Sequence, residues 1–223
     1  MPIEKKRGIV IALDITDADL AIELARQLCG LEGNFIFKIG RPLEMQRGYR
    51  IISEIKKVSQ IPIIYDGKIA DIPYISSRIA QIAYEAGADA VIVHGFVGRD
   101  VIESTLELNM GDVIVVIGMT HPGASQYINP IAKQLVEIVN ILGVNGVVLP
   151  ATKPEIISSI APMLEKNIYI MSPGIKAQGA EVGDAIKTGA DYEIIGRAIY
   201  GASNPKEMAE EFYKKIELTR KLH

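Results

Sequence analysis

Cysteine is almost absent from this sequence: its 223 residues contain a single one, Cys29. A lone cysteine cannot form an internal disulfide, and structural disulfides belong to oxidising compartments, so we expect a cytoplasmic protein. Cys29 falls near the end of a segment with helical periodicity. We expect it to pack there as a small, buried apolar side chain.

Long apolar runs and an excess of positive charge are also missing. The longest apolar stretches, such as GDVIVVIGM, have the length of a strand and are far shorter than a membrane span. The segment MPIEKKRGIVIALD lacks the apolar region and the cleavage site of a signal peptide. The formal net charge is −3, with no basic stripe. We therefore expect no contact with membranes or nucleic acids.

Apolar residues make up 48% of the chain, enough to build the core of one domain spanning residues 1–223. Many of them fall in short, continuous runs rich in Val and Ile, which is typical of strands buried on both faces of a parallel sheet. Eight runs of this kind follow one another: GIVIALD (8–14), NFIFKIG (34–40), IPIIYDG (61–67), ADAVIVHG (88–95), DVIVVIGM (112–119), GVVLP (146–150), IYIMSPG (168–174) and DYEIIGR (191–197).

Segments with helical periodicity separate these runs. DADLAIELARQLCG begins with acidic residues and ends at a glycine, as helices often do, and NPKEMAEEFYKKIELTRK closes the chain. Eight strands alternating with eight helical segments predict an α/β protein of the (β/α)8 TIM-barrel class. The alternative is an open, doubly wound sheet, which would need a glycine-rich turn after the first strand, where ALDITDAD stands.

A barrel of this class carries its functional residues at the carboxyl ends of its strands. Polar or conformationally special residues end most of the eight runs, although any one of them could simply mark the point where the chain meets water. We expect a functional site at the barrel mouth, built from the residues at these ends: Asp14, Lys38, Asp66, Lys68, His94, Thr120, Pro150, Pro173, Gly174, Gly196 and Arg197.

The last two strand ends predict a phosphate site. The segments SPGIKAQGA and IIGRAIY follow strands seven and eight, where barrels often bind phosphate. Their glycines allow backbone amides to approach an anion, and Arg197 can grip phosphate oxygens with two hydrogen bonds. Gln178 lies in the first of these loops, which could act as a mobile lid. The alternatives are a surface salt bridge for Arg197 and a solvated position for Gln178.

The segment DGKIAD places two acids and a base at the third strand end. On an extended strand Asp66 and Lys68 point the same way, and Lys38 on the neighbouring strand can reach them. We expect alternating charges in the order Lys38, Asp66, Lys68, Asp71. Flanking acids favour the charged form of lysine, so Lys68 would be a proton donor and not a Schiff-base nucleophile. The alternative is an ion-pair network with a purely structural role.

The motif Asp-x-Lys-x-x-Asp-Ile-Pro in DGKIADIP resembles the signature of the orotidine 5′-monophosphate decarboxylase family. Five further segments occur in the order found in that family, so the resemblance spans nearly the whole chain. They are IALD, FKIG, THPGA, SPGIKAQG and IIGRAIY. It implies conversion of orotidine 5′-monophosphate to uridine 5′-monophosphate and CO2 in de novo pyrimidine biosynthesis. It also implies a compact enzyme of archaeal or bacterial type that works as a homodimer without a metal or a cofactor.

The resemblance implies a role for each charged residue that matches its motifs. Asp14 and Lys38 would bind ribose hydroxyls, and Asp66 would orient the lysines. Lys68 would protonate C6 of the pyrimidine after CO2 leaves. Asp71 would come from the partner subunit and lie near the substrate carboxylate.

The resemblance also assigns the residues that bind the base and the phosphate. Thr120 would face the amide edge of the pyrimidine, and Pro173 would begin the closing loop. Gln178, Gly196 and Arg197 would form the phosphate site.

Two positions depart from the family pattern. Thr120 stands where the family usually has Ser, which keeps the hydroxyl but adds a methyl group. Ile75 stands where the family usually has Thr, and it cannot donate a hydrogen bond to ribose. His94 and His121 receive no assigned role.

Two rival functions share part of the pattern. A metal-dependent sugar-phosphate decarboxylase or synthase would also use DGKIAD, but it would want an acidic metal ligand where Lys38 stands. A non-catalytic phosphate-binding barrel would keep Gln178 and Arg197 but would not need the charged network.

Overall fold

The computed structural model of the chain describes residues 2–219. Its eight β-strands in that range form one closed, parallel barrel in chain order, so the prediction of a (β/α)8 barrel is confirmed. The strands are β1 (Gly8–Ala12), β2 (Phe35–Gly40), β3 (Ile63–Ile69), β4 (Ala90–His94), β5 (Asp112–Val116), β6 (Gly146–Val148), β7 (Tyr169–Pro173) and β8 (Tyr192–Ile195).

Helices cover the outside of the barrel. The α-helices in the described range are α1 (Ala18–Gln27), α2 (Arg41–Arg47), α3 (Arg50–Val58), α4 (Pro73–Glu85), α5 (Arg99–Leu106), α6 (Ala132–Leu142), α7 (Pro154–Ile160), α8 (Asp184–Lys187), α9 (Arg197–Tyr200) and α10 (Pro205–Leu218). Short 3-10 turns lie at Gly95–Val97, Pro122–Ser125, Asn129–Ile131 and Ala161–Met163. No helix among residues 2–219 is both long enough and apolar enough to cross a membrane.

The strand sequences fill two separate cores because successive side chains point to opposite sides of the sheet. One set, which includes Ile9, Ile11 and Phe37, packs between the barrel and the helices. The other set, which includes Val10 and Ile36, fills the barrel interior. This double burial explains why the strand sequences read as continuous apolar runs.

The barrel register brings the carboxyl ends of the strands to one mouth. Ala12 pairs with Lys38, and Lys38 pairs with Ile64, so the ends of the first three strands lie side by side. Several predicted runs extend past the strands that form: the run 112–119 ends as a strand at Val116. The remaining residues of these runs form the loops that surround the mouth.

The prediction for Cys29 is wrong. Helix α1 begins after Asp17, whose side chain accepts hydrogen bonds from the first-turn amides, and it ends at Gln27 with Leu28 as its C-cap. Cys29 therefore lies beyond the helix, and it is exposed. The apolar face of α1 stops one residue earlier, at the buried Leu28.

Candidate active site

A cavity of about 510 Å³ opens at the barrel mouth. Its size suits a small organic ligand, since such pockets typically measure about 300–1,000 Å³. Nine of the ten predicted catalytic and substrate-binding residues line it: Asp14, Lys38, Asp66, Lys68, Thr120, Pro173, Gln178, Gly196 and Arg197. Only Asp71 of that set lies outside the lining.

Lys38 is the centre of a charged network on one side of this cavity. It is buried at the end of β2, and its Nζ atom lies 2.9 Å from Oδ2 of Asp66 and 3.1 Å from Oδ1 of Asp14. The Asp66 carboxylate is buried, whereas Asp14 is half-exposed. Two carboxylates therefore neutralise one buried ammonium, as a charge in this position requires.

Lys68 extends the network to a fourth charge. Its Nζ atom donates to both carboxylate oxygens of Asp66, each at 2.8 Å. The Lys68 side chain remains partly exposed and lines the cavity, so its ammonium is accessible to a ligand. The observed alternation of charge runs in the order Asp14, Lys38, Asp66, Lys68.

The backbone that carries Lys68 is not the extended strand end assumed from the sequence. Lys68 has a left-handed φ of 43°, and the register between β3 and β4 shifts between Tyr65 and Ile69. A residue other than glycine in this region of φ is uncommon and often marks a functional position. A β-bulge, and not simple alternation, therefore directs Lys68 towards Asp66.

The two buried members of the network, Lys38 and Asp66, stabilise each other's charged forms. Burial disfavours the Asp66 carboxylate, but the ammonium groups of Lys38 and Lys68 outweigh it and lower the pKa of Asp66 to about 2. Burial likewise disfavours the Lys38 ammonium, but Asp66 and Asp14 together raise the pKa of Lys38. Asp66 is therefore ionised across the physiological pH range and presents a fixed negative charge to Lys68.

Asp71 does not extend this network within its own chain, and the expected order of charges is wrong at that end. Its side chain is exposed, and its Oδ1 atom accepts a hydrogen bond from the Ile72 amide at 2.7 Å. The backbone of Asp71 is held by Ser76, whose hydroxyl donates to the Asp71 carbonyl at 2.8 Å. The turn before α4 thus holds Asp71 through local hydrogen bonds, outside the cavity lining of its own chain.

The loop of residues 174–183 forms the other side of the cavity. Gly174 has a φ of 110°, and a side chain there would place its Cβ atom 2.9 Å from Cγ2 of Thr152. An isolated bridge pairs Ile175 with Ala180, so the loop folds back on itself. Gln178 lies at its exposed tip and lines the cavity, as predicted.

Arg197 begins helix α9 directly after β8, with Gly196 as the N-cap. The Arg197 side chain is exposed and lines the cavity together with Gln178. Backbone amides at glycines, a guanidinium and a side-chain amide converge here, and this combination suits an anion such as a phosphate group.

Apolar side chains from inside the barrel form the floor of the cavity, and the sequence analysis did not single them out. They are Ala12, Ile92, Val116, Val148 and Ile194. Thr120 and Met119 follow β5 and lie above this floor. A flat, apolar ring would fit against such a floor, with the Thr120 hydroxyl available to its polar edge.

Tyr200 is a further cavity residue that was not predicted from the sequence. It lies on α9 one turn after Arg197 and lines the cavity. Burial and the nearby Asp14 carboxylate raise the pKa of the Tyr200 hydroxyl, against the opposing effect of Arg197. The sequence IIGRAIY contained the only available signal, because the spacing of three residues puts Tyr200 and Arg197 on one helix face.

The two histidines left open by the sequence lie outside the cavity lining. His94 is buried at the end of β4, and its ring centroid lies 4.7 Å from that of Phe96. Burial lowers the pKa of His94, and the positive charge of Lys68 lowers it further. His121 is exposed on the loop after β5.

Among residues 2–219, no group of three or more His, Cys, Asp or Glu side chains is arranged to hold a metal ion. The absence of a metal requirement stays a prediction, which a chelation experiment can test.

The fold and the site together define a class of protein: a (β/α)8 barrel with a charged network and two glycine-containing loops at its mouth, an arrangement typical of enzymes that act on small phosphorylated molecules. Within that class the chain belongs to the orotidine 5′-phosphate decarboxylase / HUMPS family, whose sequence model matches residues 7–212. The resemblance inferred from DGKIADIP is thereby confirmed.

Individual relatives match over nearly their whole length. The orotidine 5′-phosphate decarboxylase of Thermococcus kodakarensis is 46% identical over 208 residues, which cover 93% of this chain and 96% of that protein. The corresponding protein of Pyrococcus abyssi is 43% identical over 208 residues, covering 93% and 98%.

Solved structures of similar proteins share the fold. The crystal structure of orotidine 5′-phosphate decarboxylase from Pyrococcus horikoshii OT3 matches with a TM-score of 0.86 and 42% identity, covering 94% of this chain and 99% of that one. The enzyme from Methanocaldococcus jannaschii, in complex with the inhibitor BMP, matches with a TM-score of 0.86 and 37% identity, covering 95% and 99%.

Proposed function

We propose that this chain is an orotidine 5′-monophosphate decarboxylase that forms uridine 5′-monophosphate and CO2 without a metal or an organic cofactor. The observation that carries the proposal is the contact of the Lys68 ammonium with both carboxylate oxygens of Asp66, at 2.8 Å each. These two residues line the same cavity as the 174–183 loop. Membership of the family supports it. The product places the reaction in de novo pyrimidine biosynthesis.

The cavity offers a separate contact for each part of the nucleotide. Gln178, Gly196 and Arg197 would bind the phosphate at one side. Asp14 and Lys38 would hold the ribose hydroxyls. The pyrimidine would then lie over the apolar floor, with one edge towards Thr120 and C6 towards Lys68.

This placement explains how the reaction can proceed without an electron sink. When the C6–carboxylate bond breaks, the electron pair stays on C6 in the plane of the ring, where no adjacent carbonyl can delocalise it. A preorganised ammonium stabilises that developing charge, and electrostatic stabilisation of this kind is usually the largest single contribution to catalysis. Lys68 then transfers a proton to C6, which completes the product.

Asp66 supplies a fixed negative charge beside Lys68. Its carboxylate stays ionised because its pKa is lowered to about 2 by Lys38 and Lys68, despite its burial. This fixed negative charge holds the Lys68 side chain in place through the two hydrogen bonds of 2.8 Å. Lys38 in turn pairs with the same carboxylate at 2.9 Å.

The same proposal includes a symmetric dimer with shared active sites. Asp71 lies at the rim of the mouth, and the residues that follow it expose a large apolar surface: Ile72, Tyr74 and Ile75. Such side chains commonly pack in protein interfaces. A two-fold interface at this rim would carry Asp71 of each subunit into the site of the other. Ile75 would lie in that interface and make a packing contact where the family usually has a hydroxyl.

The position of Lys38 disfavours the metal-dependent sugar-phosphate rival. That reaction needs an acidic ligand at the end of β2, whereas Lys38 places a buried ammonium there, bonded to Asp14 and Asp66. A positive charge at this point repels a divalent cation.

The test is to add orotidine 5′-monophosphate to the purified chain and follow the ultraviolet absorbance of the pyrimidine, with EDTA in one arm and Mg²⁺ in the other. We expect equal turnover in both arms and formation of uridine 5′-monophosphate. Activity that disappears on chelation and returns with Mg²⁺ would favour the sugar-phosphate rival. No turnover in either arm would favour a non-catalytic barrel.

A further inference from the structure

Residues 174–183 form a loop with an exposed tip and an ordered base. Within it, the Ala180 amide donates to the Gly174 carbonyl at 3.3 Å, and the Lys176 amide donates to the Ala180 carbonyl at 2.6 Å. Ile175 and Val182 are buried in the outer core. The tip, residues 176–179, faces solvent, as does Glu181. The position of Gln178 at this tip therefore depends on how firmly the base is held.

Glu193 holds the end of this base. It lies on β8, its side chain faces the helix layer, and it is completely buried, with 0% exposure. Its carboxylate oxygens accept hydrogen bonds from the Gly183 amide at 3.0 and 2.9 Å, from the Ala185 amide at 3.0 Å and from the Ile186 amide at 3.4 Å. One side chain thus joins β8 to the point where the loop enters α8.

A buried carboxylate is a costly choice for this position. The neighbouring outward-facing residue of β8 is Ile195, and an apolar side chain at position 193 would also pack in the outer core. Burial raises the pKa of Glu193, while the hydrogen bonds from the Gly183, Ile186 and Ala185 amides oppose that rise. The hydrogen bonds of the buried carboxylate are directional. They fix the orientation of three backbone amides, which an apolar contact cannot do.

We propose that Glu193 is a positioning residue for phosphate binding: by fixing the backbone at Gly183, it sets the position of Gln178 and the loop tip over the cavity. This inference rests on the proposed function, because it takes the loop to be part of the phosphate site. Glu193 itself lies outside the cavity and contacts no substrate.

The first test compares Glu193→Gln with Asp112→Asn. Asp112 is a matched control, since it is also a buried strand carboxylate that accepts a backbone amide, from Ile3 at 2.9 Å, but at the opposite end of the barrel. For Glu193→Gln we expect the KM for orotidine 5′-monophosphate and the inhibition constant of uridine 5′-monophosphate to rise about tenfold, with kcat changed less than about threefold. Asp112→Asn should leave both constants unchanged.

The second test needs no enzymatic activity. Lys176 lies at the loop tip, so limited trypsin cleavage after Lys176 reports how often the loop opens. Mass spectrometry would quantify the fragments 1–176 and 177–223 against cleavage at other sites. We expect Glu193→Gln to be cleaved selectively faster at Lys176, whereas Asp112→Asn is not.

Three results would overturn the inference. The first is a KM and an inhibition constant that do not change in Glu193→Gln. The second is a loss of kcat with no change in KM. The third is faster trypsin cleavage that is uniform over all sites, which would mean that Glu193 only stabilises the fold.

The inference and the proposed function can fail separately. If the wild-type chain does not decarboxylate the nucleotide, selective cleavage at Lys176 would still support the role of Glu193 in holding the loop, and unselective cleavage would still overturn it. If Glu193→Gln does not fold, amide hydrogen exchange of the wild-type chain tests whether Glu193 holds the end of the loop. We expect the amides of Gly183, Ala185 and Ile186 to be protected; exchange as fast as at the loop tip would contradict the proposal.

Discussion

The ring of Tyr65 occupies the space that a side chain at Gly67 would need. A Cβ atom at position 67 would lie 2.4 Å from Cε1 of Tyr65, far inside van der Waals contact. Tyr65 is fully buried, and its hydroxyl donates to Glu44 at 3.0 Å, so the ring cannot easily move away. The bulge that carries Lys68 is therefore built on a glycine in contact with a fixed aromatic ring.

Gly67→Ala should lower kcat for this reason. The added methyl group must displace either the Tyr65 ring or the bulge, and a small misplacement of Lys68 is enough to reduce turnover, by about tenfold or more. Steady-state kinetics would measure it. Gly30→Ala is the control, because its new Cβ atom would meet only the flexible end of Lys206 at 3.3 Å. Unchanged kcat in a folded Gly67→Ala variant would mean that the bulge does not position Lys68.

Arg197→Ala should weaken binding at least as much as it slows turnover. The guanidinium lines the cavity at the proposed phosphate site, and a hydrogen bond to a charged group contributes about 1.5–3 kcal/mol, so we expect KM to rise by about ten- to a hundredfold. Arg26→Ala is a suitable control, because Arg26 pairs with Glu23 on the exposed face of α1. A variant with lower kcat but normal KM would argue against a phosphate contact.

Asp66 should make stability depend on pH in the acid range. Folding lowers its pKa from 3.8 to about 2, so its stabilising contribution is complete above about pH 4 and is lost as the pH falls towards 2. The destabilisation caused by Asp66→Asn should therefore be about 1 kcal/mol smaller at pH 3 than at pH 7. Urea unfolding at both pH values measures this difference. Equal destabilisation at the two pH values would mean that Asp66 has an ordinary pKa in the folded chain.

Mixing two inactive variants tests whether Asp71 acts across a dimer. Lys68→Ala and Asp71→Ala subunits that exchange at random give mixed dimers in half of the cases. In each mixed dimer one site lacks both groups and the other lacks neither, so about a quarter of all sites should regain activity. Activity no higher than that of the separate variants, with exchange confirmed, would show that Asp71 serves its own chain.

Most of the fold could be predicted from the sequence because both faces of each strand are buried. Runs such as GIVIALD and IPIIYDG contain apolar residues for both the inner and the outer core. The strand ends then located nine site residues, because parallel strands bring their carboxyl ends to one mouth. These inferences needed only local patterns and one topological rule.

The remaining features depend on contacts between residues distant in sequence, or on backbone geometry that residue types do not encode. The left-handed φ of Lys68 and the bulge around it are one example, and they replaced the simple alternation expected from Asp66. The absence of Asp71 from the network of its own chain follows from the turn that Ser76 stabilises. In the sequence Glu193 is a charged residue inside an apolar run. Its hydrogen-bond partners are backbone amides at the start of α8, and the residue types there do not indicate this contact.

Lys68 is the group on which the whole account depends. Lys68→Ala removes the ammonium that we propose stabilises the C6 charge and supplies the proton, but it leaves the proposed phosphate and ribose contacts in place. Lys166→Ala, at an exposed lysine outside the cavity, is the control.

The most direct measurement is the rate of conversion of orotidine 5′-monophosphate by Lys68→Ala, followed by ultraviolet absorbance in the presence of EDTA, with binding of uridine 5′-monophosphate measured by calorimetry. We predict that kcat falls by about a thousandfold or more while nucleotide binding changes less than about tenfold. Near-normal turnover by a folded Lys68→Ala variant would contradict the account, because the cavity would then be carrying out the reaction without its proposed proton donor.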